Sequence, residues 1–196
     1  LLVVLGLPSL LWAETVALPV TGQTVSYATG DDGDIQAGIL PPSPRFSTLA
    51  DGTVHDALTG LLWAPDASTP TVASCTGGGL SWQGALDYVA CLNSNNYLGH
   101  NDWILPNVNE LRSLSDIGVT PSLPLSHPFS NLSSTYYWSS TTSAGFNTNA
   151  WLVGLYYGQV AQLGKASTSY RALPVRNTLL TPLQEVAQTG HTTSYA

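Results

Sequence analysis

The chain has 196 residues, 43% of them hydrophobic, enough for one well-filled core with some tail but not for two full domains. Only 9% are charged, against a usual share of roughly 25%, so Ser, Thr, Asn and Gly supply a neutral, hydrogen-bonding surface. Five cations (Arg45, Arg112, Lys165, Arg171 and Arg176) and a net charge of -7 argue against nucleic acid and against general binding to anionic polymers. The pair Arg171 and Arg176 is left as a contact for a single carboxylate or sulfate.

Residues 1–13 form an apolar run too short to span a bilayer, closed by a small residue before Glu14. The run reads as the apolar part of a signal peptide whose basic start and initiator Met are missing, so the chain is read as a fragment. A buried helix is the alternative, opposed by Pro8 and Pro19. No Cys follows the run, which removes a lipid anchor, and the product is expected in the periplasm, secreted or at the cell surface, with no stable membrane span.

Residues 14–43 are rich in Pro, Gly, Thr and Asp and read as a linker or extended arm running into Pro41, Pro42 and Pro44. Within the arm, the octet from Thr21 to Ala28 recurs from Thr189 to Ala196 with six of eight residues identical. Residues 178–196 are therefore read as a linker and the start of a second tandem repeat. Two terminal strands lying side by side are the other reading. Asp31, Asp32 and Asp34 have the oxygen density that calcium favours but lack a later bidentate Glu, so a solvated turn is preferred.

A compact domain is expected over 44–177. It starts with a hairpin turned at Asp51 and Gly52, with a strand over 53–56, and continues with a buried strand over 58–63. Cys75 and Cys91, the two cysteines of a chain read as exported, flank a predicted helix and are expected to form a disulfide. Zinc held by these thiols would need further ligands, and the four His show no close spacing. Ser81 caps a helix whose Trp82, Ala85, Leu86 and Val89 make one apolar stripe. A second helix starts at Asn107, with Glu110 as capping-box partner and Leu111 and Leu114 facing inward. After a Pro- and Ser-rich loop over 115–134, strands are expected over 136–141, 150–157, 159–166 and 171–176, with Gly158 in a hairpin turn. Early helices and a late antiparallel sheet define an α+β domain.

The order of Arg45 and Phe46, Asp51 to Val54, Thr59 to Trp63, Asp102 to Asn107, Glu110 and Leu111, Tyr137 to Thr141, Ala150 and Trp151, and Pro174 to Arg176 resembles the Lcl C-terminal domain family. The resemblance runs over about 44–177 and implies a C-type-lectin-like fold with two helices packed on an antiparallel sheet. It also implies a bacterial surface protein, with roles in adhesion or in binding carbohydrate or glycosaminoglycan. Two departures stand out: Ile104 and Leu173 occupy positions where the family commonly carries Arg. A fainter similarity of 103–111 to formylglycine-generating, sulfatase-modifying domains supports an enzyme as an alternative. Those enzymes use a late cysteine pair, and no Cys follows Cys91.

No catalytic constellation emerges. Ser139 and Ser140 have no His in a recognisable nucleophile context, and Glu110 is better used as a helix cap than as an acid paired with Asp102. Leu105 stands where a calcium-dependent lectin's Glu-Pro-Asn motif has its carboxylate, so no metal or cofactor is expected. Trp63, Trp82, Trp103 and Trp138 read as core. The ligand surface is placed on Phe146, Asn147, Asn149, Trp151, Tyr156 and Tyr157, where rigid aromatic platforms alternate with adaptable polar groups. The expected function is a non-catalytic binding or adhesion module for glycan or protein, oligomeric or not, with a purely structural surface repeat as a further alternative.

Overall fold

The computed structural model describes residues 18–124 and 126–177. The sequence reading of a signal segment over 1–13 and of a recurring octet at 189–196 lies outside these residues.

The chain is α+β, and its strands fall into two antiparallel sheets. The first is built from short strands β1 (Phe46–Thr48), β2 (Val54–Asp56), β3 (Leu61–Trp63) and, returning from the far end of the domain, β7 (Val175–Asn177). Its central strand β3 is buried at all three residues, so both faces are covered and no polar alternation marks it. The second sheet is a meander of β4 (Tyr137–Thr142), β5 (Asn149–Gly154) and β6 (Gln159–Gly164) in that order. The sequence reading had one late sheet. Strand patterns reveal which faces are buried but not which strand is the neighbour, and β7 crosses to the first sheet by pairing Trp63 with Val175.

Among the described residues three α-helices accompany the sheets: α1 (Asp32–Ile35), α2 (Trp82–Ser94) and α3 (Val108–Ser113). Ser81 caps α2 by accepting from the Gly84 N–H at 3.1 Å, and Ala85, Tyr88, Val89 and Leu92 form its buried stripe. At α3 the full capping box is present: the Asn107 side chain accepts from the Glu110 N–H at 3.0 Å, and the Glu110 carboxylate accepts from the Asn107 N–H at 2.7 Å. The helix α2 packs on β4, and α3 packs on β4 and β5. Trp63, Trp103, Trp138, Tyr137, Leu111 and Leu152 are the large buried groups at the centre of this packing.

Cys75 and Cys91 are joined, with Cα atoms 5.6 Å apart. Cys91 lies inside α2, not beyond it, because the helix continues to Ser94. The bridge ties the glycine-rich 76–79 segment to the helix. With a sequence separation of 16, closing this loop stabilises the folded chain by about 3 kcal/mol. A Cys75→Ser, Cys91→Ser variant should lose that amount in a urea titration, and dithiothreitol should have the same effect on the unaltered chain but none on the variant.

The described part of the arm is folded. Residues 18–20 run parallel to Ile39, with Val20 N–H to Ile39 O at 3.0 Å and Ile39 N–H to Leu18 O at 2.9 Å. Asp31 caps α1 and also accepts from the Tyr27 N–H at 2.7 Å, while Asp34 accepts from the Gly30 N–H at 2.9 Å and Asp32 accepts from the Thr21 hydroxyl. The arm rests on the domain where Ile117 N–H donates to Thr21 O at 3.0 Å. Gly118 allows this approach, since a Cβ there would lie 2.1 Å from the Gly22 carbonyl oxygen.

Candidate ligand surface

The six residues proposed from sequence all belong to the β4–β5–β6 meander, but the fold divides them. Phe146 and Asn147 lie in the loop before β5 and Asn149 opens that strand, whereas Tyr156 and Tyr157 lie in the turn after it. Five strand steps of about 3.4 Å separate Asn149 from Gly154, placing the two groups about 17 Å apart. Trp151 sits between them, partly exposed, opposite Gln162 of β6. Tyr156 and Tyr157 were read as strand. Instead β5 stops at Gly154, because the Leu155 carbonyl turns to accept from the Ser122 N–H at 3.1 Å and from its hydroxyl at 2.8 Å.

At the Phe146 end, the loop is closed by Asn149 N–H donating to Phe146 O at 2.8 Å. This holds the Phe146 ring outward, 62% exposed. Asn147 is exposed beside it. The next carbonyl, that of Thr148, accepts from the Lys165 N–H at 2.9 Å. Lys165 in turn places its ammonium 3.9 Å from the centre of the Trp82 ring, and partial burial there pushes its pKa down. Trp82 is only partly buried, and its N–H donates to the Ser139 carbonyl at 2.9 Å. Trp82 and Lys165 therefore form a stacked pair beside the Phe146 loop, where Lys165 meets Thr148, a neighbour that the sequence reading had not assembled. The β5–β6 register carries the missing signal, since pairing Asn149 with Gly164 sets Lys165 beside Thr148.

At the opposite end, the Tyr156 and Tyr157 rings meet edge to face with centroids 4.7 Å apart. Tyr157 is 62% exposed, and nearby Ile117 is 57% exposed. Gly158, at φ 69°, brings the turn against the Ile117 side chain.

The charged groups weighed as chemical candidates are engaged elsewhere. Arg176 donates to both oxygens of Asp102, at 2.6 and 3.0 Å, and this partner holds the Asp102 carboxyl below its usual range. Burial pushes the Glu110 carboxyl up, against the N–H bond from Asn107 that favours its ionised form. Of the pair considered for a single anion, Arg171 alone has no side-chain hydrogen-bond partner among the described residues, and its Nε is buried. The two departures from the family pattern occupy different surroundings: Leu173 is 1% exposed and Ile104 46%.

An α+β domain of two antiparallel sheets, with a disulfide-tied helix and an exposed aromatic and amide surface at one end of a meander, is the class these features define. The chain belongs to the Lcl C-terminal domain family, whose model matches residues 52–176. A comparison with curated proteins finds no match.

Proposed function

We propose that this chain is an exported, non-catalytic binding module of C-type-lectin-like type, carried in tandem at a bacterial surface, that recognises glycan or protein. The observation that carries this reading is the group of Phe146, Asn147, Asn149, Trp82 and Lys165. An exposed ring and two amide side chains stand at one end of the β5–β6 hairpin, beside a cation resting on the indole that opens α2, a combination that serves sugar rings and protein side chains alike. Membership of the family supports a surface role, and the disulfide is compatible with an oxidising compartment. No helix among the described residues is long and apolar enough to cross a membrane. The non-catalytic reading draws support from Glu110 and Asp102 being held in a helix cap and an ion pair.

A glycan array probed with the purified chain, with and without calcium, tests the proposal. Binding should be independent of calcium, and Phe146→Ala should weaken it by about tenfold, as loss of one aromatic anchor does. Tyr157→Ala should leave it unchanged if the Phe146 end alone forms the site. An array and a panel of surface proteins that both stay blank would favour the structural repeat instead.

A further inference from the structure

The two sheets treat their edges differently. Beyond β7, Ile104 exchanges both backbone bonds with Val175, at 2.8 and 3.0 Å. Beyond β4, Trp138 N–H donates to Arg171 O at 2.8 Å, Arg171 N–H to Tyr136 O at 3.0 Å, and Ser140 N–H to Pro106 O at 2.8 Å. The strand β1 is only three residues long. The six-residue β6 has little of this protection: Ser167 N–H donates to Gly164 O at 3.1 Å at its last residue, and nothing else among the described residues bonds to its outer backbone.

The direction of its backbone groups follows from the ladder. Lys165 N–H faces β5, donating to Thr148 O, and inward and outward residues alternate along an antiparallel strand. Gln159, Ala161 and Leu163 therefore bond to β5, while Val160, Gln162 and Gly164 direct N–H and C=O outward. Those three are also exposed residues. The strand reads Gln-Val-Ala-Gln-Leu-Gly, without the charge, Pro or bulge that normally guards a free edge. Gln162 does not cover it, because its side-chain oxygen accepts from the Ser143 hydroxyl across the sheet. The chemistry that fits such an edge is another extended backbone.

We infer that β6 pairs antiparallel with β6 of a second copy of this chain, about a two-fold axis at Gln162. The strand is complementary to itself in that register. Val160 falls opposite Gly164 of the second copy, Ala161 opposite Leu163, and Gln159 opposite Lys165, so that larger groups meet smaller ones and no like charges face each other. All outward residues align, and with each Gly164 carbonyl already held by Ser167 they give about four backbone hydrogen bonds and one continuous sheet across the pair.

Sedimentation of the full chain over a range of concentrations should show a reversible monomer–dimer equilibrium. Gln162→Pro removes an N–H that bonds nothing within one copy, so it should abolish the dimer while leaving circular dichroism and thermal melting close to those of the unaltered chain. Gln162→Lys and Gln162→Glu set like charges across the axis and should each weaken the dimer about fivefold, and an equimolar mixture of the two should restore it. Amide exchange at Val160, Gln162 and Gly164 should slow as concentration rises. Sedimentation as a monomer throughout, a dimer that survives Gln162→Pro, or a mixture that fails to restore association would overturn the inference. So would protection at those three amides that does not change on dilution, which would assign the edge to a segment outside the described residues.

Discussion

Replacing Asp56 by Ala should lower the unfolding free energy by about 3–5 kcal/mol. Asp56 is wholly buried in β2, and its carboxylate accepts from Arg45 through Nε and Nη2, both at 2.9 Å. It also accepts from the Leu58 N–H at 3.0 Å and the Thr59 hydroxyl at 2.9 Å. The same Arg45 donates to the Ser113 carbonyl at 2.5 Å, so one ion pair joins the entry to β1, the β2–β3 turn and the end of α3. Without the carboxylate, a guanidinium that is 8% exposed keeps a single carbonyl and the face of the Phe46 ring. The penalty is that of a buried charge without its counter-ion. Urea titration provides the measurement, and an Arg45→Met, Asp56→Leu double variant should recover most of the loss, because an apolar pair can fill the same volume. Asp102→Ala makes a milder contrast: Arg176 is as buried as Arg45, but the Asp102 side chain is 48% exposed, so water reaches the guanidinium once the carboxylate is gone, and the loss should be about 1–3 kcal/mol. Equal losses at Asp56 and Asp102 would refute this account of the buried pair.

Trp138→Ala should cost a similar amount, about 3–5 kcal/mol. Its side chain is fully buried, packs edge to face on Tyr170 at 5.2 Å, and donates its N–H to the Leu80 carbonyl at 2.8 Å. It thus connects β4 with the residue that leads into the Ser81 cap. Trp138→Phe separates volume from hydrogen bonding: it keeps a ring but leaves the Leu80 carbonyl without that donor, an expected loss of about 1–3 kcal/mol. The same urea titration ranks the two variants, and a Phe variant as damaged as the Ala variant would place the stabilisation in the hydrogen bond instead of the packing.

Features governed by near neighbours in the chain were legible in the sequence. The Asn107 and Glu110 capping box, the Ser81 cap, the Gly158 turn and the burial of Trp63, Trp103 and Trp138 each rest on local spacing or on a residue's bulk. Cys75 and Cys91 were legible as a pair. The extent of α2 past Cys91 was legible too but was not drawn: Leu92 continues the same apolar stripe by one turn. The short α1 was missed because Asp31 and Thr21 side chains hold it, and neither leaves a periodic trace. The tight turn over Tyr97–Gly99, with Leu98 at φ 54°, has no glycine at that position to announce it.

The candidate site was half legible for the same reason. Composition identified the aromatic and amide residues of 146–157, but separating Phe146 from Tyr157 needed the exact end of β5, which Ser122 sets from outside the hairpin. Bringing Lys165 to Thr148 and Trp82 to Lys165 needed the strand register and the docking of a helix that starts more than sixty residues earlier. Such contacts are fixed by tertiary packing.

Under load, the folded arm should be the first part to give. Its two ends run parallel where Leu18 and Val20 meet Ile39, so a pull on the chain at residue 18 against the domain beyond residue 40 stretches both hydrogen bonds at once, in shear. The clasp encloses roughly twenty residues, and its opening would free about 65 Å of chain before any strand of the core was strained. Tension would thus be spent in slack near Ile117, while the sheets that carry Phe146 kept their shape.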